Sequence, residues 1–190
     1  KGREALRIKI KDVQMKISQT ILYVTHDQSE ALTLADRIAI MRDGKLLQYS
    51  DTKEIFAQPK NEFVGWFLGN PGMNFIQCQY KREKDTHIFD AGAFQYKTKQ
   101  IKIEPSITEG KELRLGIRPE HVQISTKKTD GWILSQCDVI EPIGNRLLLF
   151  QKIGAVAVMV KVGRNAGVSE GMDVWLNFPP KNVRLFERET

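Results

Sequence analysis

Cysteine is nearly absent: the chain has two, Cys78 and Cys137, each alone in a strand-like run. Neither belongs to a Cys-x-x-Cys pair or has a histidine at ligand spacing, so both read as reduced core or edge residues. Histidine is equally scarce, at three. His87 and His121 stand singly, which leaves no metal-ligand set. No apolar run reaches the ~18 residues that span a bilayer, and the N-terminus has no signal-peptide hydrophobic stretch, so the chain reads as cytosolic. A phosphate-wrapping loop is missing too. G-x-x-x-x-G-K-[ST] needs glycine amides around the phosphates and a lysine at the terminal ones. The Gly-Lys pairs are Gly44-Lys45 and Gly110-Lys111, but Ala39 and Pro105 replace the first glycine and Leu46 and Glu112 replace Ser or Thr. Low-complexity tracts and an initiating Met are also absent, and the start at Lys1-Gly2-Arg3 reads as that of an excised or truncated piece.

What is present is a chain of 190 residues, 41% hydrophobic, with 29 Lys and Arg against 23 Asp and Glu. Two small domains fit that length. The net charge of +6 is scattered; the nearest basic run, Tyr80-Lys81-Arg82-Glu83-Lys84, is broken by Glu83 and followed by Asp85. It reads as solvated surface rather than a nucleic-acid patch.

Along the chain, Leu6, Ile10, Val13 and Ile17 recur at helical spacing, predicting an amphipathic helix over residues 3–18. Residues 20–25, Thr-Ile-Leu-Tyr-Val-Thr, form a β-branched and apolar run, expected as a strand buried on both faces of a parallel sheet. His26 then sits at that strand's carboxyl end, where open α/β sheets place ligands. A helix over residues 27–35 follows, with Thr25-x-x-Gln28 or Asp27-x-x-Glu30 as capping box. Residues 37–41 and 45–49 flank Asp43-Gly44 and predict a hairpin. Asp51 or Thr52 caps a short helix toward Ala57, ended by Pro59. Another short helix covers residues 62–68, stopped by Gly69, with Trp66 and Phe67 as anchors against the sheet. The breaker cluster Asn70-Pro71-Gly72 is the expected domain boundary.

Beyond it, strands are expected at residues 73–80, 87–89, 93–97, 113–117, 132–140, 146–151, 155–162 and 173–178. This spacing predicts an all-β sandwich or small barrel. Trp132 and Trp175 read as core aromatics, and Gly144, beside Pro142 and Asn145, as a hairpin turn. Arg118-Pro119-Glu120 reads as a strand end and turn in which Arg and Glu pair or solvate.

Tyr23-Val24-Thr25-His26-Asp27-Gln28-x-Glu30-Ala31, with Ala35-Asp36-Arg37-Ile38-Ala39-Ile40-Met41 and Gly44-Lys45, resembles the switch-loop region of ATP-binding cassette (ABC) ATPases, especially maltose-type sugar-importer subunits. Phe63-Val64-x-x-Phe67-Leu68-Gly69-x-Pro71-x-Met73-Asn74-Phe75 resembles the same group's exit into its regulatory domain. Leu115-Gly116-Ile117-Arg118-Pro119-Glu120-His121-Val122 and Glu141-Pro142-Ile143-Gly144-Asn145 resemble marks of that domain, an oligonucleotide/oligosaccharide-binding (OB) type β-fold called TOBE. The resemblance implies residues 1–70 as the end of a nucleotide-binding domain and residues 71–190 as a TOBE regulatory domain. His26 is implied to be the switch histidine that reaches the γ-phosphate of ATP, and an imidazole suits that role by donating to a phosphate oxygen or orienting water. Asp27 and Gln28 are left outside the site as first-turn residues that complement the helix dipole.

ATP and Mg2+ are implied cofactors of a full-length parent. The family's P-loop, its Leu-Ser-Gly-Gly signature loop and the strand with its catalytic Glu are not in this sequence, so the chain alone is expected to be inactive and without cofactor. Implied partners are a second copy, transmembrane permease subunits and a cytosolic regulator, at the inner face of the cell membrane, with no nucleic acid. Arg118, Pro119, Glu120 and Gly144 are the candidate dimer or regulatory contacts. The cargo is implied to be a sugar or related solute such as a glycerol phosphate. A free-standing OB-type module that binds a small ligand or docks a protein stays open beside this. Single-stranded nucleic-acid binding would rest on Tyr80-Lys81-Arg82 and Phe94-x-Tyr96-Lys97.

Overall fold

The computed structural model describes residues 2–17 and 19–187. Its contacts divide it into two compact units, Lys1–Asn70 and Pro71–Thr190.

The first unit runs α1 (Gly2–Ile17), α2 (Gln28–Leu34), β1 (Arg37–Arg42), β2 (Lys45–Asp51), α3 (Thr52–Ala57) and α4 (Glu62–Phe67). In the stripe expected along α1, Val13 is exposed; the side chains of Leu6 and Ile17, and residue Ser18, lie outside the described residues. The β1–β2 hairpin closes through Asp43 (φ 51°) and Gly44 (φ 73°). Both central residues are left-handed, as a type I′ turn requires. Ile38 and Ile40 of β1 turn inward onto Ile55, Val64 and Leu68. Buried Gln48 ties down the loop around Pro59: its Nε2 donates to the Gln58 carbonyl (3.0 Å) and its Oε1 accepts from the Lys60 amide (2.8 Å).

Three expectations in this unit need correction. Residues 20–25 form no strand, and Leu22 and Val24 are 90% and 87% exposed. Their composition suits a sheet interior, but among the described residues no strand pairs with them, and propensity without a ladder does not make a strand. His26 therefore follows a segment without regular secondary structure. The second correction is the α3 cap: the Asp51 side chain makes no cap bond, and Thr52 instead donates to the carbonyls of Ala35 (2.7 Å) and Asp36 (3.2 Å). The third is Trp66, which is 59% exposed. α4 has only six residues; it buries Val64 and Gly65, with Phe67 half-buried, and Trp66 falls on the opposite side.

The second unit is all strand and short 3-10 turn: β3 (Asn74–Glu83), β4 (Thr86–Asp90), β5 (Gln95–Thr98), β6 (Glu112–Ile117), β7 (Gln123–Ser125), β8 (Ile133–Ile143), β9 (Arg146–Ile153), β10 (Val156–Gly163), β11 (Asp173–Asn177) and β12 (Arg184–Glu187). Two five-stranded sheets result, ordered β12-β6-β3-β4-β5 and β10-β9-β8-β11-β7, with antiparallel ladders. This is the expected β-rich domain.

One core draws on both sheets: Ile76, Phe89 and Leu115 from the first, Leu149, Val160 and Leu176 from the second. Withdrawing each such side chain from water contributes roughly 1.5–3 kcal/mol. Cys78 and Cys137 are free thiols buried in it. Trp175 is not, contrary to expectation. On β11 the inward positions are Val174 and Leu176, so alternation turns half-buried Trp175 outward beside exposed Leu134. Trp132, just before β8, is likewise only half-buried.

Candidate functional site

His26 stands at the bend between residues 20–25 and α2, exposed and, among the described residues, without a hydrogen-bond partner. Its neighbours are held firmly. Asp27 is the N-cap of α2, its Oδ1 accepting from the amides of Ser29 (2.8 Å) and Glu30 (3.1 Å); such caps contribute about 1 kcal/mol. The Asp27 amide donates to Thr25 Oγ1 (3.0 Å), and Thr25 Oγ1 donates onward to Glu30 Oε2 (2.7 Å). Tyr23 donates its hydroxyl to the same Glu30 oxygen (3.1 Å). Of the two capping boxes expected from sequence, Asp27-x-x-Glu30 forms by half: Asp27 caps the Glu30 amide, but Thr25 stands between the Glu30 carboxylate and the Asp27 amide. Gln28 has a further task, its Oε1 accepting from the Gly69 amide (3.2 Å) and tying α2 to the turn after α4.

An exposed imidazole at the head of a capped helix can donate to a phosphate oxygen. The described residues do not complete a nucleotide site around it. No phosphate-wrapping loop is present in the sequence, and among the described residues no three His, Cys, Asp or Glu gather to hold a metal ion. His26 is thus an exposed imidazole with no grip for ATP or Mg2+ gathered around it among the described residues.

The contact candidates of the β-unit separate. Arg118 is 1% exposed and Pro119 is buried, whereas Glu120 is exposed. A solvated Arg118 is therefore corrected, because the strand-to-turn transition carries it into the interior. Burial pulls its guanidinium down to about 10, partly offset by Glu120, so it stays charged at neutral pH. Of the four candidates, Glu120 and Gly144 are the exposed ones. Gly144 has φ 56° in the two-residue turn joining Ile143 to Arg146 and accepts from Arg164 Nη2 (2.8 Å). Its first-position positive φ suits glycine.

Of the aromatic residues considered for base stacking, both tyrosines are interior and Phe94 is half-buried. Tyr80 and Tyr96 are 3% and 6% exposed; their hydroxyls meet His87 Nδ1 (2.8 Å) and the Phe178 carbonyl (2.9 Å). Buried rings offer no stacking platform. No helix among the described residues is long and apolar enough to cross a membrane.

Residues 69–122 match the MalK OB fold domain family, and residues 115–186 match the TOBE domain family. The sulfoquinovosyl glycerol transport ATP-binding protein SmoE of Agrobacterium fabrum is 31% identical over 190 residues, all of this chain and 52% of that protein. The sn-glycerol-3-phosphate import ATP-binding protein UgpC of Escherichia coli O1:K1 is 30% identical, again over all of this chain and 52% of that protein. The chain thus spans about half the length of these curated relatives. A crystal structure of the cytoplasmic molybdate-binding protein ModG superimposes with a TM-score of 0.50 at 13% identity, covering 60% of this chain and 96% of that one. That likeness concerns the fold alone. The second unit thus carries an OB fold of the MalK kind and a TOBE domain, and the whole chain is related to about half the length of importer ATP-binding subunits.

Proposed function

We propose that this chain is the C-terminal part of the ATP-hydrolysing, energy-coupling subunit of an importer for a sugar or related solute such as a glycerol phosphate. The observation that carries the proposal is unbroken relatedness, over every residue, to ATP-binding subunits of two such transport systems. The geometry supports it at His26, which is held between two fixed neighbours with its imidazole exposed. In this reading residues 1–70 close a nucleotide-binding domain and residues 71–190 form its regulatory domain. His26 donates a hydrogen bond to the terminal phosphate of a nucleotide gripped by the other half of the protein, and dimer closure is passed to permease subunits at the inner face of the membrane. A second copy meets the first through the β-unit, with Glu120 and Gly144 as exposed contact candidates, and a cytosolic regulator can act there.

The test is ATP hydrolysis by the full-length protein carrying His26→Ala. Removing one positioned donor to developing charge lowers turnover by about a hundredfold or more. A variant hydrolysing ATP at the wild-type rate would overturn the reading.

A further inference from the structure

We propose that Glu30 is a positioning residue for His26, acting through the Thr25 hydroxyl; the proposal rests on the reading of His26 given above. A carboxylate in the first turn of a helix has a ready bland role, complementing the helix dipole or closing a capping box. Glu30 does not close that box. The cap is already made by Asp27, and the Glu30 carboxylate reaches back beyond His26 to the hydroxyls of Thr25 (2.7 Å) and Tyr23 (3.1 Å).

The bonds form a directed relay. The Asp27 amide donates to Thr25 Oγ1 at 3.0 Å, and that hydroxyl spends its own hydrogen on Glu30. Because an ionised carboxylate only accepts, it fixes the direction of the Thr25 hydroxyl and frees the oxygen's lone pairs for the Asp27 amide. A charged acceptor at one end polarises such a chain and strengthens each bond. The residue before His26 and the residue after it are thereby locked to one carboxylate. His26 takes no part and remains exposed. A site residue whose chain is held on both sides while its own hydrogen-bonding atoms stay uncommitted presents them to a ligand from a fixed base.

The experiment uses the full-length protein, comparing kcat and KM for ATP and the melting temperature in His26→Ala, Thr25→Val, Thr25→Ser, Glu30→Ala and Thr25→Val/Glu30→Ala. Valine matches threonine in shape but lacks the hydroxyl, whereas serine keeps it. Misorientation of His26 predicts about a tenfold fall in kcat for Thr25→Val and for Glu30→Ala with KM within about twofold. Thr25→Ser restores turnover, and the double variant is no worse than the poorer single one, because both remove the same relay. Asp27→Ala supplies the contrast of a weakened helix cap. Wild-type kcat in Thr25→Val and Glu30→Ala, beside a silent His26→Ala enzyme, overturns the positioning role and leaves the function intact. Losses that merely follow the melting temperature and are equalled by Asp27→Ala also overturn it. Full activity in His26→Ala overturns the functional reading and this proposal together.

Discussion

The side-chain amide of Asn74 imitates a neighbouring strand for Met159: its Nδ2 donates to the Met159 carbonyl and its Oδ1 accepts from the Met159 amide, both at 2.8 Å. β10 is the outer strand of its sheet, so these two backbone groups face a side that no strand covers. Asn74 itself is 5% exposed. Asn74→Ala leaves the part-buried Met159 amide and carbonyl without these partners, at a cost of about 1–3 kcal/mol. Asn74→Asp keeps the acceptor but sets a carboxylate against the carbonyl, and is expected to be worse. Urea unfolding followed by tryptophan fluorescence checks the order; unchanged midpoints would remove the clasp from the account.

Gly116 owes its identity to close packing. A Cβ there would lie 2.5 Å from Phe186 Cε2 and 2.8 Å from Met73 Sδ, with Phe186 and Met73 both buried. Overpacking of this kind costs about 1–3 kcal/mol. Gly116→Ala should lower the urea midpoint accordingly, and by less in a Phe186→Leu background where the ring edge is gone. Equal losses in both backgrounds would place the cause elsewhere.

Local chemistry made much of this legible in the sequence. Asp43-Gly44 announced its hairpin because two successive left-handed residues are rare outside such turns, and the close, regular spacing of short strands marked the β-unit. β7 and β12, at three and four residues, are too short to show a period. The run at residues 20–25 could not be read correctly from composition, since its burial depends on neighbouring strands. Trp66 and Trp175 were misjudged because aromatic content tells nothing of which way a residue faces. At the candidate site, the flanking motif singled out His26 as the residue to examine. The Glu30 relay was not legible, because the capping-box template aims the carboxylate at the Asp27 amide, and only the fold shows the Thr25 hydroxyl between them.

Both thiols should be inert in the folded chain. Burial pushes Cys78 up to about 12 and raises Cys137 as well, and thiolate is the reactive form. At pH 8 a colourimetric thiol reagent is expected to find neither cysteine in native protein and both in denaturant. Prompt reaction without denaturant would contradict the burial.

Acid should weaken the β-unit in two separate windows. His87 and His121 are both held below the ordinary histidine value of 6.5, chiefly by burial, with Arg82 adding to the effect at His87. At His121, Glu120 opposes it while Arg118, Arg184 and Lys181 reinforce it. A depressed histidine is neutral in the folded state, so its stabilising contribution is present above 6.5. It is lost as pH falls below that value, where the unfolded chain binds protons that the folded chain refuses. Asp90 titrates lower. Lys81, with the Gly92 amide and Gln95, brings it from 3.8 to about 2, so its contribution is present above 3.8 and disappears as pH falls toward 2. The urea midpoint should therefore drop between pH 7 and pH 5, and by less in a His87→Gln/His121→Gln variant, with a further fall below pH 4 that the double variant retains. Imidazole proton NMR gives the direct check: midpoints for His87 and His121 below 6.5 agree with this account, and midpoints at or above it reverse the sign of the first window.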